Sequence, residues 1–259
     1  MRKIVKAELI MLIGEIKQYY VNYIFYNLGM IVLFCGIFYN YFSDQKENTV
    51  LAMLISAVLW QICTNAIQYY SYLIQDEAMM GTLEQMFLSK TSFSKIIVSK
   101  TVVNMGFVII KGGLLFMICM LIFCKNLFAL KINLVQVLMI IGIFISTVVV
   151  FYGIGGLFGG LSLYFKRISS AINVINYFLL MFTGILKNPM SYTKSFEIIT
   201  RMVPITNANI LINSILDDEI KLEDITWFFA TSMLFLLVGI MGMNRMIKMA
   251  RKDGKLGQY

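Results

Sequence analysis

The sequence predicts an all-α membrane protein with several membrane-spanning helices, and three observations support this. The chain of 259 residues is 59% hydrophobic and has a mean hydropathy of +0.78. Only 14% of its residues are charged, whereas soluble domains usually carry about 25%, so lipid must cover much of the surface. Six apolar segments, separated by shorter polar stretches, are each long enough to cross the hydrocarbon core of a bilayer.

We expect a helix in the membrane interface, at residues 1–20, followed by six spans. The first twenty residues place apolar side chains on one helical side and basic side chains mostly elsewhere. Glu8 and Glu15 interrupt the apolar run that a signal peptide needs, so a cleaved leader is disfavoured. A positively charged leader with no defined pose is the alternative. The six spans are residues 21–42, 49–74, 96–124, 134–165, 169–186 and 225–247.

The distribution of Lys and Arg predicts that both termini lie in the cytoplasm. With the N-terminus inside, the inner segments contain 14 basic residues and the outer loops contain 7. Cytoplasmic loops carry an excess of Lys and Arg, so this bias supports an even number of spans. The net charge of +8 then indicates anionic lipid as a partner, and not nucleic acid.

Two connections between spans are longer than simple turns. The inner loop, residues 75–95, contains three carboxylates and a helix-like apolar pattern. The outer segment, residues 187–224, contains an apolar stretch at 205–216 that is too short to cross a bilayer. This stretch predicts a re-entrant or interfacial helix on the outer face.

The residue types in the chain argue against an enzyme. The sequence has no histidine and no G-x-x-x-x-G-K-[ST] phosphate loop, so nothing indicates ATP hydrolysis by this chain. The four cysteines lie in apolar runs and are interpreted as small hydrophobic residues. We expect no catalytic, metal-binding or cofactor-binding residues in this chain.

A glycine-rich stretch at residues 153–160 is interpreted as a surface for helix packing. Gly155 with Gly159, and Gly156 with Gly160, have the four-residue spacing that lets two helices approach closely. A dinucleotide-binding fingerprint is excluded because its third glycine would fall on Phe158.

Polar side chains within the predicted spans mark either a polar pathway or hydrogen bonds between helices. Both interpretations stay open, because polar groups are costly in lipid and are therefore informative in either case. Lys111, near the middle of the third span, could also extend its ammonium group to the membrane surface. These candidates are Gln61, Asn65 and Gln68 in the second span, Asn104 and Lys111 in the third, and Asn173 and Asn176 in the fifth. No carboxylate lies deep in a span, which disfavours ion-coupled transport.

The stretch at residues 76–89, DEAMMGTLEQMFLS, resembles the ABC-2-type permeases of ABC exporters. Ile96, Ile97 and Lys100, which follow it, match the opening of that family's third span. Weaker similarities cover the rest of the chain, in order. They are the residues Gly159-Gly160-Leu161-Ser162 with Phe165-Lys166-Arg167, the pair Gly184 and Pro189, and the pair Pro204 and Asn207.

The resemblance implies a single permease domain, residues 1–259, whose 75–95 loop contains a coupling helix that docks on a separate ATP-binding subunit. The implied coupling residues are Gly81, Thr82, Leu83, Glu84, Gln85, Met86 and Phe87. Leu83, Met86 and Phe87 would enter a groove on the partner. Glu84 would face basic residues there, or would pair internally with Arg2 or Lys3. A helix that only caps the bundle is the alternative.

The resemblance also implies a working unit of two permeases and two ATP-binding subunits in the cell membrane. The second permease is another copy or a paralogue, and ATP and Mg bind to the partner subunits. We expect export of an amphipathic drug, antibiotic or bacteriocin-like peptide. The alternatives are export of a polysaccharide or lipid-linked glycan, and a membrane anchor or sensor without transport, which would tolerate charge changes at Glu84.

Overall fold

The computed structural model describes residues 2–38, 47–123, 133–166, 168–183 and 194–253, and these form ten α-helices with no strand. In chain order the helices are α1 Arg2–Gln18, α2 Tyr20–Phe38, α3 Glu47–Met79, α4 Leu83–Leu88, α5 Phe93–Phe123, α6 Leu134–Phe165, α7 Ser169–Phe182, α8 Lys194–Arg201, α9 Pro204–Leu216 and α10 Leu222–Lys252. The all-α prediction is therefore confirmed.

Five of the described helices are long and apolar enough to cross a bilayer, whereas the sequence predicted six spans. The five are α2, α3, α5, α6 and α10. Helix α7, the predicted fifth span, has 14 residues and is about 21 Å long, which is less than the hydrocarbon core of about 30 Å. The end of that predicted span, residues 184–186, lies outside the described residues. The five long helices indicate a multi-pass membrane protein.

Helix α3 lies at the centre of the bundle. Within its most apolar stretch 83% of the residues are buried, compared with 11–28% in the other four long helices. It packs against α5, α6, α7 and α9. The outer helices therefore present apolar side chains outward, as lipid requires, while α3 contacts mainly protein.

One side of helix α6 contacts α3 through glycines. A Cβ atom added to Gly155 would lie 2.5 Å from the carbonyl oxygen of Ala66, and one added to Gly159 would lie 2.7 Å from the Cβ of Tyr70. Both distances are shorter than a van der Waals contact. Only the missing side chains allow the two backbones to pack this closely.

The other side of α6 contacts α10. A Cβ on Gly156 would lie 3.0 Å from the sulfur of Met243, and one on Gly160 would lie 2.8 Å from the Cβ of Met246. The structure thus places all four glycines of the predicted packing surface at helix contacts, and it distributes them over two different neighbours.

Helix α9 is buried inside the bundle, although it is too short to span a bilayer. Its 13 residues begin with Pro204 in the first turn, where the missing N–H of proline costs no hydrogen bond. It packs against α3, α6 and α10. The apolar stretch predicted at 205–216 thus forms a helix enclosed by protein.

The tightest contact between α6 and α10 predicts that a side chain added at Gly239 destabilises the bundle. A Cβ on Gly239 would lie 2.2 Å from the carbonyl oxygen of Gly153, an atom of the backbone that cannot rotate away. We expect Gly239→Ala to destabilise the bundle by about 1–3 kcal/mol, which is typical of overpacking. Thermal unfolding of the purified chain in detergent measures this change.

Gly142→Ala is the matched control. Gly142 also lies within a long helix, and a Cβ added there meets nothing within 4 Å. This variant should be as stable as the parent or slightly more stable, because alanine favours helix. Equal unfolding temperatures for the two variants would contradict the assigned packing.

Candidate functional site

A cavity of about 580 Å³ lies between helices α1, α2, α3 and α5, close to α4. We call this part of the bundle the α4 end. The charged groups that line the cavity are Glu8, Glu15, Asp76 and Lys100. The amides are Asn65, Gln68 and Asn104, and the aromatic side chains are Tyr23, Tyr26, Tyr69, Tyr72 and Phe107. The volume is within the range of small-molecule sites, about 300–1,000 Å³.

Three of the seven polar residues selected from the sequence line this cavity. Asn65 donates a hydrogen bond to the hydroxyl of Tyr26, at 3.5 Å. Asn104 donates to the hydroxyl of Tyr152, at 2.8 Å. Gln68 also lines the cavity. Each of these amides therefore lines the cavity and also forms a hydrogen bond to another helix. The two interpretations of the polar side chains in the spans, a polar pathway and hydrogen bonds between helices, do not exclude each other.

The other four selected residues do not line the cavity. Lys111 places its Nζ atom 3.8 Å from the centre of the Tyr26 ring, a cation–π contact. Asn173 accepts a hydrogen bond from Gln68, at 3.1 Å. Asn176 accepts one from the Trp60 indole at its backbone oxygen, at 3.4 Å. The two asparagines therefore join α7 to α3.

Gln61 is the fourth residue outside the cavity, and only 3% of it is exposed. Its side-chain oxygen has no hydrogen-bond partner among the described residues. Its backbone oxygen accepts hydrogen bonds from Thr64 and Asn65.

Three helices meet at Lys100, which also lines the cavity. Its Nζ atom lies 3.0 Å from a carboxylate oxygen of Glu77 on α3 and 3.3 Å from one of Glu8 on α1. The three side chains are only 12–17% exposed. Partial burial makes such charge pairs stronger than surface pairs. This ion cluster therefore fixes α1 and α3 to the beginning of α5.

The turn between α3 and α4 is tied to the same cluster. Gly81 has φ +69°, a conformation that glycine adopts without strain. The amide of Thr82 donates to the backbone oxygen of Glu77, and that of Gly81 donates to Ala78. These bonds end α3 in a Schellman motif. The hydroxyl of Thr82 also donates to the Glu77 carboxylate.

Helix α4 turns its apolar side toward the bundle. Leu83 is only 2% exposed. The ring of Phe87 stacks on that of Phe93 with a centroid distance of 4.1 Å, and the Arg251 guanidinium lies 4.9 Å from the Phe87 centroid. Met86 also packs against the core. In this chain Phe87 therefore contacts α5 and α10, while Leu83 and Met86 pack into the core. Insertion of the three side chains into a groove on a partner stays a prediction.

The outer side of α4 is exposed. Glu84 and Gln85 face away from the bundle, and Leu88 is 85% exposed. Among the described residues Glu84 forms no salt bridge, so the alternative of an internal pair with Arg2 or Lys3 is not observed. The exposed side of α4 therefore consists of Glu84, Gln85 and Leu88.

The acidic side of the cavity was missed by the sequence analysis. Glu15 accepts a hydrogen bond from the Tyr23 hydroxyl, at 3.0 Å. Neither Glu15 nor Asp76 forms a salt bridge within the described parts of the chain. The seven-residue spacing of Glu8 and Glu15, which places both on one helical side, was the signal available. The sequence analysis used these two glutamates only as evidence against a signal peptide.

At the opposite end of the bundle, α8, α9 and α10 are joined by a buried arginine. Arg201 donates to Asp224, at 2.9 Å, and to Glu197, at 3.0 Å. Burial opposes the positive charge, but the hydrogen bonds to Asp224 and Glu197 outweigh it and raise the pKa of Arg201. The backbone oxygen of Arg201 accepts a hydrogen bond from Asn207, at 2.7 Å. The sequence analysis had counted Arg201 only as a basic residue of an outer loop.

The described residues contain no group of three or more His, Cys, Asp or Glu side chains that could hold a metal ion. Cys35, Cys63 and Cys119 are free thiols, and Cys124 lies outside the described residues. The chain matches no protein-family model and no curated protein. The fold and the cavity thus define a helical multi-pass membrane protein with an acidic, aromatic cavity at one end.

The ion cluster at Lys100 predicts a measurable coupling. We expect Lys100→Gln to destabilise the protein by about 1–3 kcal/mol, because it leaves two partly buried carboxylates without a cation. Glu77→Gln in the same chain should cost less in the Lys100→Gln background than alone. A double-mutant cycle of chemical unfolding in detergent measures this coupling, expected at about 1–2 kcal/mol.

Lys95→Gln is the control for this cycle. Lys95 is exposed on the same helix and forms no salt bridge with any described residue. Its replacement should change stability by less than about 0.5 kcal/mol. The cluster would lose its assigned role if Lys95→Gln and Lys100→Gln were equally destabilising.

Proposed function

We propose that this protein is the membrane-spanning subunit of an ATP-driven ABC exporter of the ABC-2 type. The resemblance of residues 76–89 and the multi-pass helical fold support the proposal. ATP and Mg would bind to two separate ATPase subunits, since the sequence contains no phosphate loop. A second permease, either a copy or a paralogue, would complete the transporter in the cell membrane. The expected cargo is an amphipathic drug, antibiotic or peptide.

The observation that carries the proposal is the direct structural link between α4 and the cavity. Helix α4 exposes Glu84, Gln85 and Leu88 at one end of the bundle. Its first turn is bonded through Thr82 to Glu77, and Glu77 pairs with Lys100, which lines the cavity. A force applied to α4 therefore reaches the cavity wall through two consecutive polar contacts, from Thr82 to Glu77 and from Glu77 to Lys100.

This link supports a mechanism of coupling by helix displacement. In the proposed exporter, closure of the ATPase subunits on ATP pushes the exposed side of α4. Since Leu83 and Phe87 fix α4 to the bundle, the push moves α3 and α5 and does not merely detach α4. The pairs of Lys100 with Glu8 and Glu77 then move with the helices that bear them, and the cavity changes shape.

A six-span topology with both termini in the cytoplasm belongs to the same proposal. Gln136 at the start of α6 donates to Asp218 just before α10, at 2.8 Å, so both helices begin at the same end of the bundle. Helix α6 ends just before α7, and Ser169 at the start of α7 donates a hydrogen bond to Gln75 near the end of α3, so this point lies at the α4 end. The chain between α6 and α10 must therefore return across the bundle, and α7 and α9 supply helical segments for that crossing.

Two single cysteines test the topology. In a chain whose native cysteines are replaced by alanine, Lys90→Cys and Lys221→Cys place thiols at exposed positions of opposite ends. We expect a membrane-impermeant maleimide to label position 221 in intact cells, because it lies outside. Position 90 should be labelled only after permeabilisation. Labelling of position 90 in intact cells would contradict the cytoplasmic placement of α4.

The ATPase partner is tested by co-purification with the products of neighbouring genes. We expect a protein with a phosphate loop to co-purify with the chain, and Glu84→Lys to weaken that association at least about tenfold, since it reverses an exposed charge at the proposed contact. Affinity pull-down in detergent and in nanodiscs, followed by an ATPase assay, measures both quantities.

Glu223→Lys is the matched control, because Glu223 is equally exposed but lies in the first turn of α10, at the other end of the bundle. It should leave the association unchanged. If no ATPase associates in any detergent or lipid, the exporter proposal loses its energy source and a membrane anchor or sensor becomes the better interpretation. If both variants weaken association equally, α4 is not the contact.

A further inference from the structure

We propose that the cavity at the α4 end binds the cationic group of an amphipathic molecule. The inference rests on the proposed function, because it states the charge and class of the exporter's cargo. Three features of the cavity carry it: its charge, its aromatic rings and the position of Lys111 beside it.

The first feature is an excess of negative charge. Glu8, Glu15 and Asp76 line the cavity, and Lys100 is the cation among the described lining residues. Lys100 is already shared between Glu8 and Glu77. Glu15 and Asp76 have no salt bridge with any described residue. A positively charged ligand would therefore find two carboxylates that are not paired with a cation among the described residues.

The second feature is the set of aromatic faces. Four tyrosines and Phe107 line the cavity, and aromatic faces attract ammonium and other organic cations. The protein shows this contact within its own chain, since the Lys111 ammonium lies 3.8 Å above the Tyr26 ring. Lys111 follows Phe107 by one helical turn and does not line the cavity.

The positions of these charges define an orientation for the ligand. Asp76 lies near the end of α3, on the side of α4, whereas Lys111 lies one helical turn beyond Phe107 along α5, against the Tyr26 ring. A cationic group is attracted to the first region and repelled from the second. Leu73, Val103 and Phe107, which also line the cavity, provide apolar contacts for the rest of the molecule. The cavity thus fits an amphipathic cation and not an anion.

A pair of ions of equal shape and opposite charge tests this inference. Tetraphenylphosphonium and tetraphenylborate binding would be measured on the full chain in zwitterionic lipid nanodiscs, with binding to empty nanodiscs subtracted. The double variant Glu15→Gln, Asp76→Asn removes two negative charges from exposed positions and preserves side-chain shape. We expect it to weaken tetraphenylphosphonium binding about tenfold or more. Tetraphenylborate binding should be unchanged or tighter.

Glu223→Gln, far from the cavity, controls for net charge and should leave the binding of both ions unchanged. The inference is overturned if the double variant leaves tetraphenylphosphonium binding unaffected, or if both ions lose affinity equally. Binding requires no ATPase, so the two proposals fail separately. If the cavity discriminates between the two ions but no ATPase associates with the chain, the exporter proposal is wrong and the cation site stands. If an ATPase associates but the cavity does not discriminate between the ions, only the proposal of a cationic cargo is wrong.

Discussion

The close approach of three helices at the glycines of α6 is the constraint on which the rest of the structure depends. Gly155 and Gly159 bring α6 against α3, while Gly156 and Gly160 bring it against α10. In a membrane there is little hydrophobic force between helices, so close packing of this kind is a main source of their association. Once α3 is held at the centre, its Asn65 and Gln68 form one wall of the cavity.

The polar counterpart of this packing is the Lys100 cluster. Its three side chains come from α1, α3 and α5, and of these helices only α3 also contacts the glycines of α6. Dispersion contacts hold the central helices, whereas charge pairs hold the peripheral ones at the α4 end. Charge pairs tolerate more change in geometry than interlocked backbones do, so this end of the bundle is the better placed to change shape.

The two ends of the bundle differ in a way that matters for the proposed transport. At the α4 end four helices leave a cavity of about 580 Å³. At the other end, Arg201 with Asp224 and Gln136 with Asp218 join the helices through buried or partly buried polar contacts. In the proposed orientation this arrangement corresponds to a permease whose cavity faces the cytoplasm. Displacement of α4 would then have to open the opposite end of the bundle, where Arg201 holds α8 and α10 together.

The sequence by itself determined the all-α fold, the long apolar helices of a multi-pass membrane protein, the short helix α4 and the glycine packing surface. These properties follow from local composition and from residue spacing of three or four positions, which helix geometry converts directly into faces. The tertiary structure alone decided that Leu83 and Phe87 face inward, and that Glu15 and Asp76 line one cavity. Each of these depends on which helices are neighbours, and residues as distant in sequence as Glu15 and Asp76 line the same cavity only because α1 packs against α5, which in turn packs against α3.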